Sequence, residues 1–194
     1  MRKLLVTALL LVLLMGCEPP RQPCPGPCPR PRPHRSYPAD GSVIFWEKGI
    51  LKEPIYRNTG SDLTHAAIVL YIGSEPWVYE AVPLRVHRLP LDTYLKRLEE
   101  MRQTPFHQRR EFSWFLIQPR NSFTADELKA MKQYADSQLG RRYMLRGWWK
   151  NREVRGTHCS QLIGNIIERS GWIVSSRYRE SPGSLHAKLT LLYD

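Results

Sequence analysis

Nine of the sixteen prolines lie between Cys17 and Pro38. Proline fixes φ and removes a backbone donor, so a segment this dense in it enters neither a helix interior nor a central strand. The stretch CEPPRQPCPGPCPRPRPHRSYP also offers almost nothing apolar to bury. It reads as an extended polyproline-type tether over residues 17–39. Any core must therefore come from the residues that follow, 40–194, which suffice for one domain.

Ahead of the tether, Arg2 and Lys3 precede an apolar run, Leu4 to Met15, that ends at Gly16-Cys17. Positive start, apolar middle and small-residue junction are the pattern of an export signal over residues 1–16. Leu14-Met15-Gly16-Cys17 resembles a bacterial lipobox, which implies acylation of Cys17; plain secretory cleavage is the other reading. Acyl chains anchor through about 0.8 kcal/mol per buried methylene. The apolar run is too short to span a membrane, which takes about 20 residues. No later segment approaches that length without charges, which excludes an integral helical membrane protein. The expected location is the cell envelope, lipid-anchored, with the outer membrane or periplasm favoured for a Gram-negative source.

The net charge is +11, and losing residues 1–16 removes only two cations. A basic surface attracts anionic headgroups, acidic polymers or nucleic acid. An exported chain does not meet nucleic acid, and the Arg-Arg pairs at 109–110 and 141–142 form no recognised nucleic-acid motif. No nucleic-acid partner is expected. Cys24 and Cys28 in the tether are read as a disulfide or free thiols, a C-x-x-x-C pattern being weak evidence for a metal.

After the turn at Asp40-Gly41, Val43–Trp46 reads as a buried strand. His65–Ile72 and Trp77–Val82, joined by Gly73-Ser74-Glu75-Pro76, read as a hairpin. Phe112–Gln118 is a further strand. Leu91, Leu95, Leu98 and Met101 recur at helical spacing. Thr124-Ala-Asp-Glu127 forms a capping box for a helix carrying Leu128, Met131, Ala135 and Leu139, ended by Gly140. A last helix begins near His158–Ser160, carries Leu162, Ile163, Ile166 and Ile167, and stops at Gly171. The expected fold class is α+β, a small antiparallel sheet followed by helices.

Cys159 is the only cysteine in the folded part, where a loop should hand over to that helix. Unpaired N–H groups and the positive end of the helix dipole favour a thiolate there and can receive an oxyanion. A buried, inert thiol is the alternative. His65, at the head of an apolar strand, is the candidate base. His158 is set aside because neighbours on a helix point about 100° apart. Glu80, inside the second hairpin strand, needs a partner. Antiparallel pairing can bring it to His65 as the orienting acid, the alternative being an ion pair with Arg85 or Arg88.

Asp40-Gly-Ser-Val-Ile-Phe45, Leu63-Thr-His-Ala-Ala-Ile-Val69, Trp77-Val-Tyr-Glu-Ala81, Leu139-Gly-Arg-Arg-Tyr143 and His158-Cys-Ser-Gln-Leu162 together resemble the circularly permuted, YiiX/YaeF-like branch of the NlpC-type papain-like amidases. The resemblance covers almost all of residues 40–194 and rests on the order and spacing of the blocks. It implies a permuted papain-like fold, a small antiparallel sheet or barrel packed against helices. It makes Cys159 the nucleophile, His65 the general base and Glu80 the residue orienting it, with no cofactor and no metal. Tyr143 resembles a tyrosine lining the active site, near the oxyanion. Ser42 and Gln161 stand where the family often carries Asp and Glu. The basic and aromatic segment before Cys159, with Arg141, Arg142, Arg146, Trp148, Trp149, Lys150, Arg152 and Arg155, is expected to border the site. It suits a carboxylate-bearing peptide or a lipid headgroup, or is a plain solvated surface.

The expected activity is a cell-envelope cysteine hydrolase that cleaves amide bonds in peptide or peptidoglycan-like material through a Cys159 thioester. The alternatives are a lipid acyl hydrolase or acyltransferase of the same fold, and a non-catalytic binding lipoprotein.

Overall fold

The computed structural model describes residues 37–49, 52–144, 156–176 and 179–194. The expected export signal over residues 1–16, Cys17, Cys24, Cys28 and nearly all of the expected tether lie outside them, as do Arg146, Trp148, Trp149, Lys150, Arg152 and Arg155. No described helix is long and apolar enough to cross a membrane.

Five strands, β1 (Val43–Glu47), β2 (Leu63–Ile72), β3 (Glu75–Val82), β4 (Arg85–Pro90) and β5 (Ser113–Ile117), form one antiparallel sheet in the order β4-β3-β2-β1-β5. Helices α1 (Lys52–Thr59), α2 (Leu91–Gln103) and the short α3 (Pro105–Gln108) fall between strands. Helices α4 (Ala125–Ser137), α5 (Cys159–Glu168) and α6 (Pro182–Leu189) follow β5.

Both faces of the central strands are covered, which is why β2 reads as a continuous apolar run rather than an alternating one. Ala66, Ile68 and Leu70 point into a core shared with Met131 of α4, Ile163 and Ile166 of α5, and Leu185 of α6. Ala67 and Val69 point the other way, onto Leu91, Tyr94 and Leu98 of α2. The amphipathic spacing of α2 thus does what its sequence suggested.

The four expected strands and the hairpin are present, and Thr124 and Glu127 make the reciprocal capping box of α4. Four elements went unread, the shortest being the single turn α3. β4, Arg-Val-His-Arg-Leu-Pro, is an edge strand whose charges and terminal proline hide its alternation. α1 is polar and contributes little apolar pattern. α6 follows the expected last helix, so α5 is not the last; its signal was Ser181 capping with Pro182 at the first helical position. The order is also not sheet then helices, because α1, α2 and α3 interrupt the strands.

Gly41 shows how tightly the turn into β1 is drawn. Its φ is +91°, and a Cβ there would lie 2.4 Å from the ring of Phe123. Its carbonyl also accepts a hydrogen bond from the Tyr193 hydroxyl at 3.1 Å, tying the start of the domain to its end. Backbone conformation and space both demand glycine. Gly41→Ala should therefore destabilise the chain by about 2 kcal/mol or more, read as a lower midpoint in urea with an unchanged slope.

Candidate active site

The site is assembled from four strands and two helices. β1 and β2 pair with Trp46 opposite His65, and β3 and β4 with Glu80 opposite His87. Extending the β2–β3 register sets Glu80 beside Ala67, two residues from His65 and on the same face. The sheet therefore carries His87, Glu80, His65 and Trp46 across one surface, and α2 adds Arg97 to it.

Glu80 is fully buried. Its Oε2 accepts from Nε2 of His65 at 2.9 Å, and its Oε1 accepts from Nε2 of His87 at 2.8 Å and from the Arg97 guanidinium at 3.2 Å. Burial alone would raise its pKa; the hydrogen bonds from the two imidazoles and the charge of Arg97 prevail and bring it down to about 2. The expected His65 contact is made. The alternative partners are not, since Arg88 pairs with Asp136 instead.

His65 is held on its other side by Trp46, whose ring lies 4.2 Å away between centroids and whose own N–H is fixed by a 2.9 Å bond to the Tyr94 hydroxyl. With Nε2 engaged by Glu80, Nδ1 is the nitrogen left for Cys159. Burial pulls the His65 pKa down. The charge and hydrogen bond of Cys159, followed by those of Glu80, overcome this and raise it to about 9.

Cys159 is the first residue of α5 and is 4% exposed. Burial pushes its thiol up, but the His65 charge and hydrogen bonds from both His158 and His65 hold it well below the ordinary thiol range. Each of the two therefore favours the charged form of the other. His158 is the N-cap, not a helical residue, so the angular argument that set it aside does not apply. Its Nδ1 accepts from the Gln161 N–H at 3.4 Å, and its ring also reaches the thiolate. The Cys159 and Ser160 N–H groups open the helix beside the sulfur.

Tyr143 is brought in by its backbone. It bridges Thr157 in parallel, and its N–H bonds the Leu84 carbonyl at 3.3 Å. Gly156 permits that approach, since a Cβ there would sit 2.2 Å from the Met144 side chain and 2.9 Å from the Arg142 carbonyl. Burial, followed by the Cys159 charge, raises the Tyr143 pKa, so its hydroxyl keeps its proton as a donor. Tyr143 and His65 line a cleft of about 290 Å³ whose walls are mostly apolar, with Trp46, Val82, Pro83, Met101 and Phe112. Cys159 does not itself line this cleft; it meets it through His65 and Tyr143.

The structure therefore brings together Cys159, His65, Glu80 and Tyr143, the four residues the sequence singled out. It adds His87, Arg97, Trp46 and His158. Of these, only His158 had been weighed from the sequence, and Arg97 lies on the α2 face one turn from Tyr94. His87 was hidden in the unread edge strand.

No protein-family model and no curated protein matches the chain. Its fold does match a solved structure. This is an α+β, YiiX-like papain-like fold, with a five-stranded antiparallel sheet packed against helices. The match is to the crystal structure of metalloprotein yiiX from Escherichia coli O157:H7, with a TM-score of 0.52 and 19% identity. It covers 69% of this chain and 66% of that one, so the chain spans about two thirds of that protein's length.

The carboxylate has a testable signature in pH. A group whose folded pKa lies below its ordinary 4.5 contributes stability that is present above that value and lost as pH falls through about 2. Wild-type stability should fall over this range. Glu80→Gln should lower stability at pH 7 and flatten the acid limb, followed by urea midpoints from pH 7 to pH 2.

Proposed function

We propose that the chain is a cysteine hydrolase that transfers an acyl group from an amide to water. One observation carries the reading: a thiol at a helix N-terminus, its pKa held down by an imidazole that is itself hydrogen-bonded to a buried carboxylate.

The thiolate of Cys159 attacks the amide carbonyl, and the N–H groups at the start of α5, with the Tyr143 hydroxyl, face the developing oxyanion. His65 delivers its proton to the leaving amine as the C–N bond breaks, leaving a thioester. Water then attacks, His65 takes its proton, and the carboxylate product and thiolate are released. Glu80 stays ionised throughout and fixes the ring. Peptide or peptidoglycan-like amides are the proposed substrates. The apolar cleft supports a second reading, in which the acyl group is a lipid chain and the same thioester forms from an ester.

The yiiX protein is described as a metalloprotein. The donor set here does not fit a resident metal ion. Both Glu80 oxygens already accept from two imidazoles and a guanidinium. Among the described residues, no group of three or more His, Cys, Asp or Glu is placed to hold one. No step is routed through a metal. Export, acylation at Cys17 and an envelope location complete the proposal, motivated by the lipobox-like run and the tether.

Small iodoacetamide should alkylate Cys159 at pH 6 in wild type. His65→Ala should slow this on the order of tenfold or more, because the thiol then returns toward its ordinary pKa. Incubation with pooled peptidoglycan peptides and phospholipids, read by mass spectrometry, should give products lost in both Cys159→Ala and His65→Ala. An unreactive accessible thiol with no product would leave a binding module instead. Separately, Cys17→Ser should release the chain from membrane fractions; continued detergent-dependent fractionation would rule out the lipid anchor.

A further inference from the structure

The turn between β3 and β4 is built against its own backbone preference. Leu84 has φ +97°, a region that a branched, bulky side chain rarely adopts. It is also 86% exposed. A leucine in a glycine-like conformation, held out in water, contributes nothing to the core, and burial on folding does not explain it.

Its neighbours are equally unexplained by the fold. Val82 pairs with Arg85 across β3 and β4, and Arg85 pairs with Arg142 on the segment beyond. Directly paired residues point to one side, so Val82 of β3, Arg85 of β4 and Arg142 in an isolated bridge beyond it form one row. Val82 lines the cleft. Arg85 and Arg142 are both exposed, and neither has a carboxylate partner among the described residues. Two like charges directly opposite each other destabilise a strand pair, and an anion lying over this pair would offset that repulsion.

A protruding apolar tip beside an uncompensated pair of guanidinium groups matches one kind of surface, in which phosphates lie at the level of the arginines and hydrocarbon lies beyond them. We propose that the β3–β4 turn docks on an anionic phospholipid bilayer. Leu84 enters the interface, Arg85 and Arg142 bind lipid phosphates, and the cleft mouth, reached through Val82 and Pro83, is held at the membrane surface. This rests on the turn alone and not on the thiol chemistry. It also differs from anchoring at Cys17, which would hold the chain near a membrane without orienting it.

The test uses the full chain with vesicles of phosphatidylglycerol or of phosphatidylcholine. It reads cosedimentation and hydrogen exchange of the backbone at residues 82–86. Phosphatidylglycerol should slow exchange at this turn and phosphatidylcholine should not. The double variant Arg85→Ser, Arg142→Ser should weaken the salt-sensitive part of binding by roughly tenfold or more, since each cation near an anionic surface contributes on the order of a fivefold effect. Leu84→Gly separates docking from folding, because glycine relieves the positive φ. It should raise the melting temperature while abolishing protection at the turn. Cys159 alkylation at pH 6 should be unchanged in all variants, so loss of docking and loss of the thiol site are read independently. Exchange at 82–86 that does not slow on phosphatidylglycerol, or that slows equally with inorganic phosphate alone or in Leu84→Gly, overturns the proposal.

Discussion

A carboxylate with no access to water must be surrounded by donors or give up its charge, and Glu80 takes the first course. Its three donors come from β2, β4 and α2, so the group that sets the acid–base state of the site also stitches the sheet to its covering helix. Without Arg97 and His87 on Oε1, the carboxylate would have burial to contend with and only His65 to offset it. With them, Oε2 is free to hold one imidazole nitrogen in one orientation. The thiolate of Cys159 is the last member of this chain of charges. Its charged form is favoured by His65, whose own charged form is favoured by Cys159 first and by the carboxylate after it.

The covering of both sheet faces has a similar reach. Because α2 closes one side and α4, α5 and α6 the other, the central strands are buried throughout and cannot slide by one residue without exposing a full row of apolar side chains. That rigidity places Trp46 against His65 and His87 against Glu80. The helix N-terminus at Cys159 is brought to the same place through a different route, the backbone bridge between Tyr143 and Thr157, for which Gly156 leaves room.

Much of this was readable from residues alone. Apolar runs bounded by turn residues marked four strands, and a capping box marked α4, because those signals are local. Cys159, His65 and Glu80 stood out because reactive or charged types sat at the start of a helix or within apolar strands, whereas Tyr143 was implied only by the family resemblance. Partners were harder. Glu80 announced that it needed a donor, but not that it would find three, since His87 lies in an edge strand whose charges mask its period, and Arg97 looks like any helix-surface cation. The angular reason for setting His158 aside does not hold, because a cap residue has extended backbone and helical side-chain angles do not describe it. α6 was missed although a serine cap followed by proline was present, because its short apolar pattern is weak.

His65 sits on the second strand and Cys159 opens the fifth helix, with most of the domain between them. In the unfolded chain each titrates alone, and the sulfur is then an ordinary, largely protonated thiol. Its lowered pKa is set chiefly by the closed domain, which alone brings His65 to it. A thiol probe that reports this shift would thereby report that distant parts of the chain have closed on each other.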